Sequence, residues 1–290
     1  MDGAKAIAAL LTNPGDLLDY LEVIGRSQAL TQPSAPCLAV PTTAGTGAEV
    51  TRNSVLASPE HRFKVSLRSP FLLPKVALVD PELSYGLPPV LTASTGLDAL
   101  TQLIEPYVSH RANPLTDGFC LEGMRRVARS LRRACEFGDD AQAREDMALA
   151  SLLSGLALAN AALGAVHGFA APLGGMYSGP HGAFCAAVLA QTMEINVRAL
   201  EQRQPKGEAL RRYAIVAQLL TNDLSAKPGD AVLWVRQLCA HLKVQPLRAF
   251  GVRTEEFSEL VEKASKASSM KGNPILLTPG ELGEILERSF

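Results

Sequence analysis

The stretch Lys75-Val-Ala-Leu-Val-Asp80-Pro-Glu-Leu-Ser-Tyr85-Gly-Leu-Pro-Pro-Val90-Leu-Thr-Ala-Ser-Thr95-Gly-Leu-Asp98-Ala-Leu-Thr-Gln102-Leu-Ile-Glu105 changes character at Pro88-Pro89. Lys75 to Asp80 is a short apolar run without alternation, the pattern of a strand buried on both faces of a parallel sheet. Beyond the prolines, Leu97, Leu100, Leu103 and Ile104 recur at helical spacing. Upstream, Cys37 to Pro41 and Phe63 to Leu67 read as further strands, and Ala4 to Thr12 and Pro14 to Ile24 as helices. Downstream the pattern is helical almost throughout. Thr95 is a suitable N-cap for a helix carrying Asp98 to Val108, and Asn113-Pro114 opens the next, running to about Phe137. Further helices are predicted over 141–166, 182–199, 209–220, 228–242 and 254–264. Thr278-Pro-Gly-Glu281 has the form of a cap and first turn of a terminal helix. An α/β piece over 1–89 followed by an all-helical domain over 90–290 is therefore expected.

Composition narrows the class. With 290 residues and 47% hydrophobic content the chain can bury a large core. A net charge of -1, with Lys and Arg scattered, leaves no basic stripe for nucleic acid. Cys37, Cys120, Cys135, Cys185 and Cys239 are odd in number and lack C-x-x-C spacing, which suggests reduced thiols in the cytoplasm. The first residues lack the layout of a signal peptide. Met147 to Val166 carries no charge and is long enough to be weighed as a membrane span. Its Ala, Gly, Ser151, Ser154 and Asn160, without an aromatic belt, favour a buried core helix and no membrane.

Four elements can carry chemistry. Asp98 and Gln102 stand four residues apart, so a helix brings them to one face. Because much of that helix is apolar, Asp98 either points outward or finds a partner. His167 follows the charge-free run, where a hydrogen-bonded core histidine is the plainer reading. His181, between Pro180 and Gly182, begins a new helix and reads equally as a capping or surface histidine. Together, one carboxylate and two imidazoles form a ligand set suited to Fe(II) or Zn(II) with a position left open for catalysis. The fourth element is Pro41-Thr42-Thr43-Ala44-Gly45-Thr46-Gly47-Ala48-Glu49-Val50-Thr51, directly after a strand. Its small residues allow close backbone approach, and its hydroxyls and free N–H groups suit phosphate or ribose oxygens. A Thr/Gly surface loop is the alternative.

These residues carry a resemblance. Pro-Thr-Thr-Ala-Gly-Thr-Gly-Ala-Glu-Val-Thr, Thr-Gly-Leu-Asp-Ala-Leu-Thr, His-Gly-Phe-Ala-x-Pro-Leu-Gly-Gly, Pro-His-Gly and Ser-Met-Lys-Gly-Asn-Pro fall in order over nearly the whole chain. In them the chain resembles the iron-containing (group III) alcohol dehydrogenases. The resemblance implies a partial Rossmann-like nucleotide-binding domain followed by a helical metal-binding domain, in a dehydroquinate synthase-like architecture. It further implies a divalent metal (Fe2+ or Zn2+), NAD or NADP, and interconversion of a small-molecule alcohol with an aldehyde or ketone. By the family motifs Asp98, His167 and His181 match metal ligands with catalytic roles. Thr42, Thr43 and Thr51 match the nucleotide loop, and Lys64 a cofactor-contacting position. A homodimer in the cytoplasm is the expected setting.

Three departures stand out. The family commonly places His four residues after the metal Asp; here Gln102 takes that position as a fourth candidate metal ligand, whose amide oxygen can coordinate but is a weaker donor than imidazole. A second His commonly follows in His-x-x-x-His; here it is Ala171, which removes a proton-transfer group. The family also carries Gly-Gly-Gly-Ser-x-x-Asp before a helix like Ala4-Lys-Ala-Ile7, and this chain opens at the equivalent of that Asp, Asp2. A truncated α/β half with an exposed apolar sheet is the expectation. The alternatives are an inactive homologue without dinucleotide binding, a maleylacetate reductase-like enzyme, or a lyase of the dehydroquinate synthase kind. The last would want Lys or Arg near His167 and His181, and that stretch has none.

Overall fold

The computed structural model describes residues 1–290. Its first part holds α1 (Asp2–Leu10), α2 (Leu17–Tyr20), β1 (Leu38–Ala39), β2 (Asn53–Ser58), β3 (Phe63–Arg68) and β4 (Val76–Ala77). β1 and β4 pair in parallel, Leu38 opposite Val76. β2 and β3 form an antiparallel hairpin running from Asn53 opposite Arg68 to Ser58 opposite Phe63. This is a partial Rossmann-like α/β piece.

Lys75 to Asp80 is parallel as expected, but only two of its residues pair, and Val76 and Leu78 are 49% and 58% exposed. Apolar continuity signals a strand that wants cover on both faces; it cannot say whether cover is present. β2 has no clear alternation in sequence. It forms because its partner β3 packs Val65 and Leu67 inward, while the Ser54 hydroxyl donates to the Asp2 carbonyl at 2.7 Å. The helix expected over 14–24 shrinks to α2. Asp16 caps it, and Val23 at φ 67° has already left helical geometry.

The second part is helical: α3 (Pro89–Val108), α4 (Pro114–Glu136), α5 (Ala141–Asn160), α6 (Ala165–Met176), α7 (His181–Arg203), α8 (Glu208–Thr221), α9 (Pro228–His241), α10 (Phe257–Lys266) and α11 (Pro279–Ser289). Asn113 caps α4 and Thr278 with Glu281 forms a capping box on α11, both as read from sequence. α3 begins six residues before Thr95, because Pro89 supplies a pre-set φ at the first position. Thr95 sits inside the helix and returns its hydroxyl to the Leu91 carbonyl at 2.9 Å.

The single helix expected over 141–166 is two helices bent by 99°, with Ala162 at φ 129° in the break. No single helix is long and apolar enough to cross a membrane. The break is held by tertiary partners. The Ala165 N–H donates to Asn273 Oδ1 (3.1 Å) and the Val166 N–H to Glu105 Oε1 (2.7 Å). Those two N–H groups would otherwise be orphaned at the start of α6.

The helices enclose a core of 52 buried residues, against seven between α1, α2 and the hairpin, so most of the burial energy resides in the helical part. The two parts meet through a pair of glycines. A Cβ on Gly47 (φ +58°) would stand 2.5 Å from Gly155 Cα, and one on Gly155 2.4 Å from the Gly47 carbonyl oxygen. Only glycine at both positions lets the Thr/Gly loop rest on α5.

Candidate metal centre

Asp98, Gln102 and Glu105 lie at i, i+4 and i+7 on α3, hence on one face, and are 1%, 2% and 6% exposed. Burying carboxylates this deeply is costly unless charge or hydrogen bonds meet them. α7 supplies His181 at its first residue. It can approach because Gly182 has no side chain: a Cβ there would stand 2.2 Å from the Ser94 carbonyl oxygen. α6 supplies His167 in its first turn, fixed by Glu105 and Asn273. Asn273 belongs to the Ser-Met-Lys-Gly-Asn-Pro stretch and is itself braced by Asn196, whose Oδ1 accepts from it at 2.7 Å. That stretch therefore acts as a distant cap on the helix carrying His167.

Asp98 Oδ1 lies 3.3 Å from His167 Nε2 and 3.7 Å from His181 Nε2. The imidazole centroids are 5.4 Å apart. His167 Nδ1 lies 2.7 Å from Glu105 Oε2; as the donor there, it turns the Nε2 lone pair toward Asp98. Gln102 Nε2 donates to Asp98 Oδ2 at 2.9 Å. Two buried oxygens, Asp98 Oδ1 and Gln102 Oε1, receive no hydrogen bond. With both imidazoles neutral, Asp98 Oδ1 faces their lone pairs, a set of acceptors without a donor that a bound cation, or a proton on either ring, resolves.

The protonation preferences agree. Burial pushes the Asp98 carboxyl up, yet the His181 and His167 imidazoles and the Gln102 amide outweigh it and hold it at about 2. Burial disfavours a charged His167; Cys185, Asp98 and Glu105 reverse this and raise it well above its ordinary value. His181 is raised chiefly by Cys185 and then by Asp98, against burial. The pocket attracts positive charge.

Sequence reasoning brought Asp98, His167, His181 and Gln102 to this place, and the structure assembles all four. It missed two residues. Cys185, one turn along α7 from His181, puts its Sγ 3.7 Å from His181 Nε2 and 3.8 Å from His167 Nε2. The donor atoms of Asp98, His167, His181 and Cys185 all lie within 4.8 Å of one another. The spacing His181-x-x-x-Cys185 was the available signal. Glu105, one further turn along α3 from Gln102, is buried against His167.

The residues expected at the cofactor separate. Thr42 and Thr43 are exposed, and Thr43 lines a small cleft with Asp80, Ser84 and Ser151. Thr51 is 4% exposed, and its hydroxyl and carbonyl accept from the buried Lys5 ammonium at 3.0 and 2.9 Å. It ties the loop to α1 and offers no free hydroxyl. Lys64 reaches from β3 to α6, where its Nζ stands 2.8 Å from the Cβ position of Gly174, and it forms no ion pair.

The family description "Iron-containing alcohol dehydrogenase" matches residues 1–81, and "Fe-containing alcohol dehydrogenase family, C-terminal" matches residues 92–290. Alcohol dehydrogenase 4 of Saccharomyces cerevisiae is 36% identical over 290 residues, which is all of this chain and 73% of that protein. A crystal structure of 1,3-propanediol oxidoreductase superposes with a TM-score of 0.89 at 38% identity, covering 100% of this chain and 74% of that one. Sulfoacetaldehyde reductase from Bifidobacterium kashiwanohense, solved in complex with NAD+, superposes at 0.83 with 29% identity over 99% and 72%. Likeness that runs from the Thr/Gly loop through the buried Asp98 pocket to the last helix makes this chain a member of the iron-containing alcohol dehydrogenase family.

Proposed function

We propose that the chain interconverts a small alcohol with its aldehyde or ketone, using a divalent metal at Asp98, His167 and His181 and a nicotinamide dinucleotide as hydride carrier. One observation carries the reading: three segments far apart in sequence converge on a pocket with two buried oxygens that lack donors. When bound, the metal supplies a Lewis acid for the substrate oxygen and the nicotinamide supplies the hydride chemistry. The protein's own part is position and charge. Glu105 orients His167 and Gln102 holds one oxygen of Asp98, so the carboxylate and both imidazoles are held in place for a dication. His181, whose side chain is 35% exposed, marks the side open to substrate. Ala171 offers no proton-transfer group.

Thr42, Thr43 and Lys64 are the proposed cofactor contacts, supported by the exposure of the two hydroxyls and the unpaired Lys64 ammonium beside α6. The NAD+ complex of a relative supports a nicotinamide dinucleotide as the cofactor. Five free cysteines support a reducing compartment, the cytoplasm, and a homodimer is the proposed assembly. A second reading, metal binding without firm dinucleotide binding, is favoured by the parallel pair being two residues long with Leu38, Val76 and Leu78 exposed. The deciding experiment follows nicotinamide reduction with 1,3-propanediol and simple primary alcohols, before and after metal removal and re-addition of Fe2+ or Zn2+. Turnover that disappears with the metal and returns with it supports the dehydrogenase. Intact metal binding with no NAD(P) affinity supports the second reading.

A further inference from the structure

Cys185 lies outside every motif that points to the centre, yet it is fully buried, unpaired and aimed at both imidazoles. A tetrahedral ion with bonds of about 2.1 Å to N or O and about 2.3 Å to S separates its donors by roughly 3.4 Å and, toward sulfur, roughly 3.6 Å. Here the Asp98 Oδ1 separations from the two Nε2 atoms are 3.3 and 3.7 Å, and the Cys185 Sγ separations from the same atoms are 3.8 and 3.7 Å. Gln102, in contrast, faces Asp98 Oδ2 with its amide nitrogen. We infer that Cys185 is a thiolate ligand of the metal, completing an Asp98/His167/His181/Cys185 set that favours a borderline-soft ion such as Zn2+ over Fe2+.

The inference rests on the metal centre proposed above and deepens it. Gln102 then acts as a positioning residue for Asp98, and sulfur takes up the donor capacity that an imidazole at position 102 would bring. Coordination releases the thiol proton to solvent on the His181 side, so metal uptake liberates protons.

Cobalt(II) added to the metal-free full chain is the probe, because thiolate coordination produces a near-ultraviolet sulfur-to-cobalt charge-transfer band. The band is expected in the unaltered protein and in Cys37→Ser and Cys239→Ser. It should vanish in Cys185→Ser, with cobalt affinity falling on the order of tenfold or more. Ligand-field bands without the charge-transfer band in the unaltered protein overturn the assignment, whatever the variant's fold. Persistence of the band in Cys185→Ser overturns it too. If metal binding depends on His181, tested as His181→Ala, but not on Cys185, only the thiolate falls. If cobalt fails to bind the unaltered chain, the metal centre falls with it.

Discussion

Glu105 accepts from His167 Nδ1 at 2.7 Å with one carboxylate oxygen, while its other oxygen receives the Val166 N–H at the same distance. One side chain therefore sets both the start of α6 and the orientation of the imidazole on it. A partner of this kind commonly changes metal affinity 10- to 100-fold.

Glu105→Gln is accordingly expected to weaken Zn2+ binding by about ten- to a hundredfold, read by titration of the metal-free protein. The amide keeps the shape but meets the imidazole with a neutral group. Unaltered affinity would mean that Asn273 alone is sufficient to hold the turn.

Gln102→His adds an imidazole beside Asp98, a better donor than an amide to late transition metals. More metal should remain after dialysis against a chelator than in the unaltered chain. Equal or lower content would show that position 102 does not face the ion.

Gly182→Ala drives a methyl to 2.2 Å from the Ser94 carbonyl oxygen. The junction of α3 and α7 must open, at a cost of about 1–3 kcal/mol. Thermal unfolding should shift down and metal affinity should fall together, since the same junction sets the His181 to Asp98 distance. A lowered melting temperature with full metal affinity would separate the two.

Glu256 joins the two halves of the molecule, pairing with Arg62 on the hairpin turn, with Arg253, and with the Tyr177 hydroxyl at 2.6 Å. Hydrogen bonds from Arg253 and Tyr177, then Arg62, hold its carboxyl at about 2, below its ordinary 4.5. A depressed carboxyl stabilises the fold above its unfolded value and loses that contribution as pH falls through the native one. Between 4.5 and about 2 the unaltered chain should therefore lose stability more steeply than Glu256→Gln. Parallel urea-midpoint profiles for the two proteins across that interval would refute this role.

Much of the molecule was legible because the signals were local. Asn113-Pro114 and Thr278-Pro-Gly-Glu281 cap helices through contacts three residues away, and both appear where the sequence puts them. Asp98, Gln102 and Glu105 share a face because helical geometry alone dictates it. The short strand β2 and the end of α2 were not legible, since each depends on packing against other elements.

Residue types and helical spacing, read alone, determined the helical domain, the Thr/Gly loop and the segments bearing Asp98, His167 and His181. Only the tertiary structure decided that the charge-free run breaks into α5 and α6, since Glu105 and Asn273, 61 and 108 residues from their partners, satisfy the N–H groups the break exposes. It also decided that Thr51 turns inward to Lys5 and that Cys185 meets the two imidazoles. Periodicity reports how apolar a face is, whereas the partner of a buried polar atom is chosen by whatever the fold brings within about 3 Å of it.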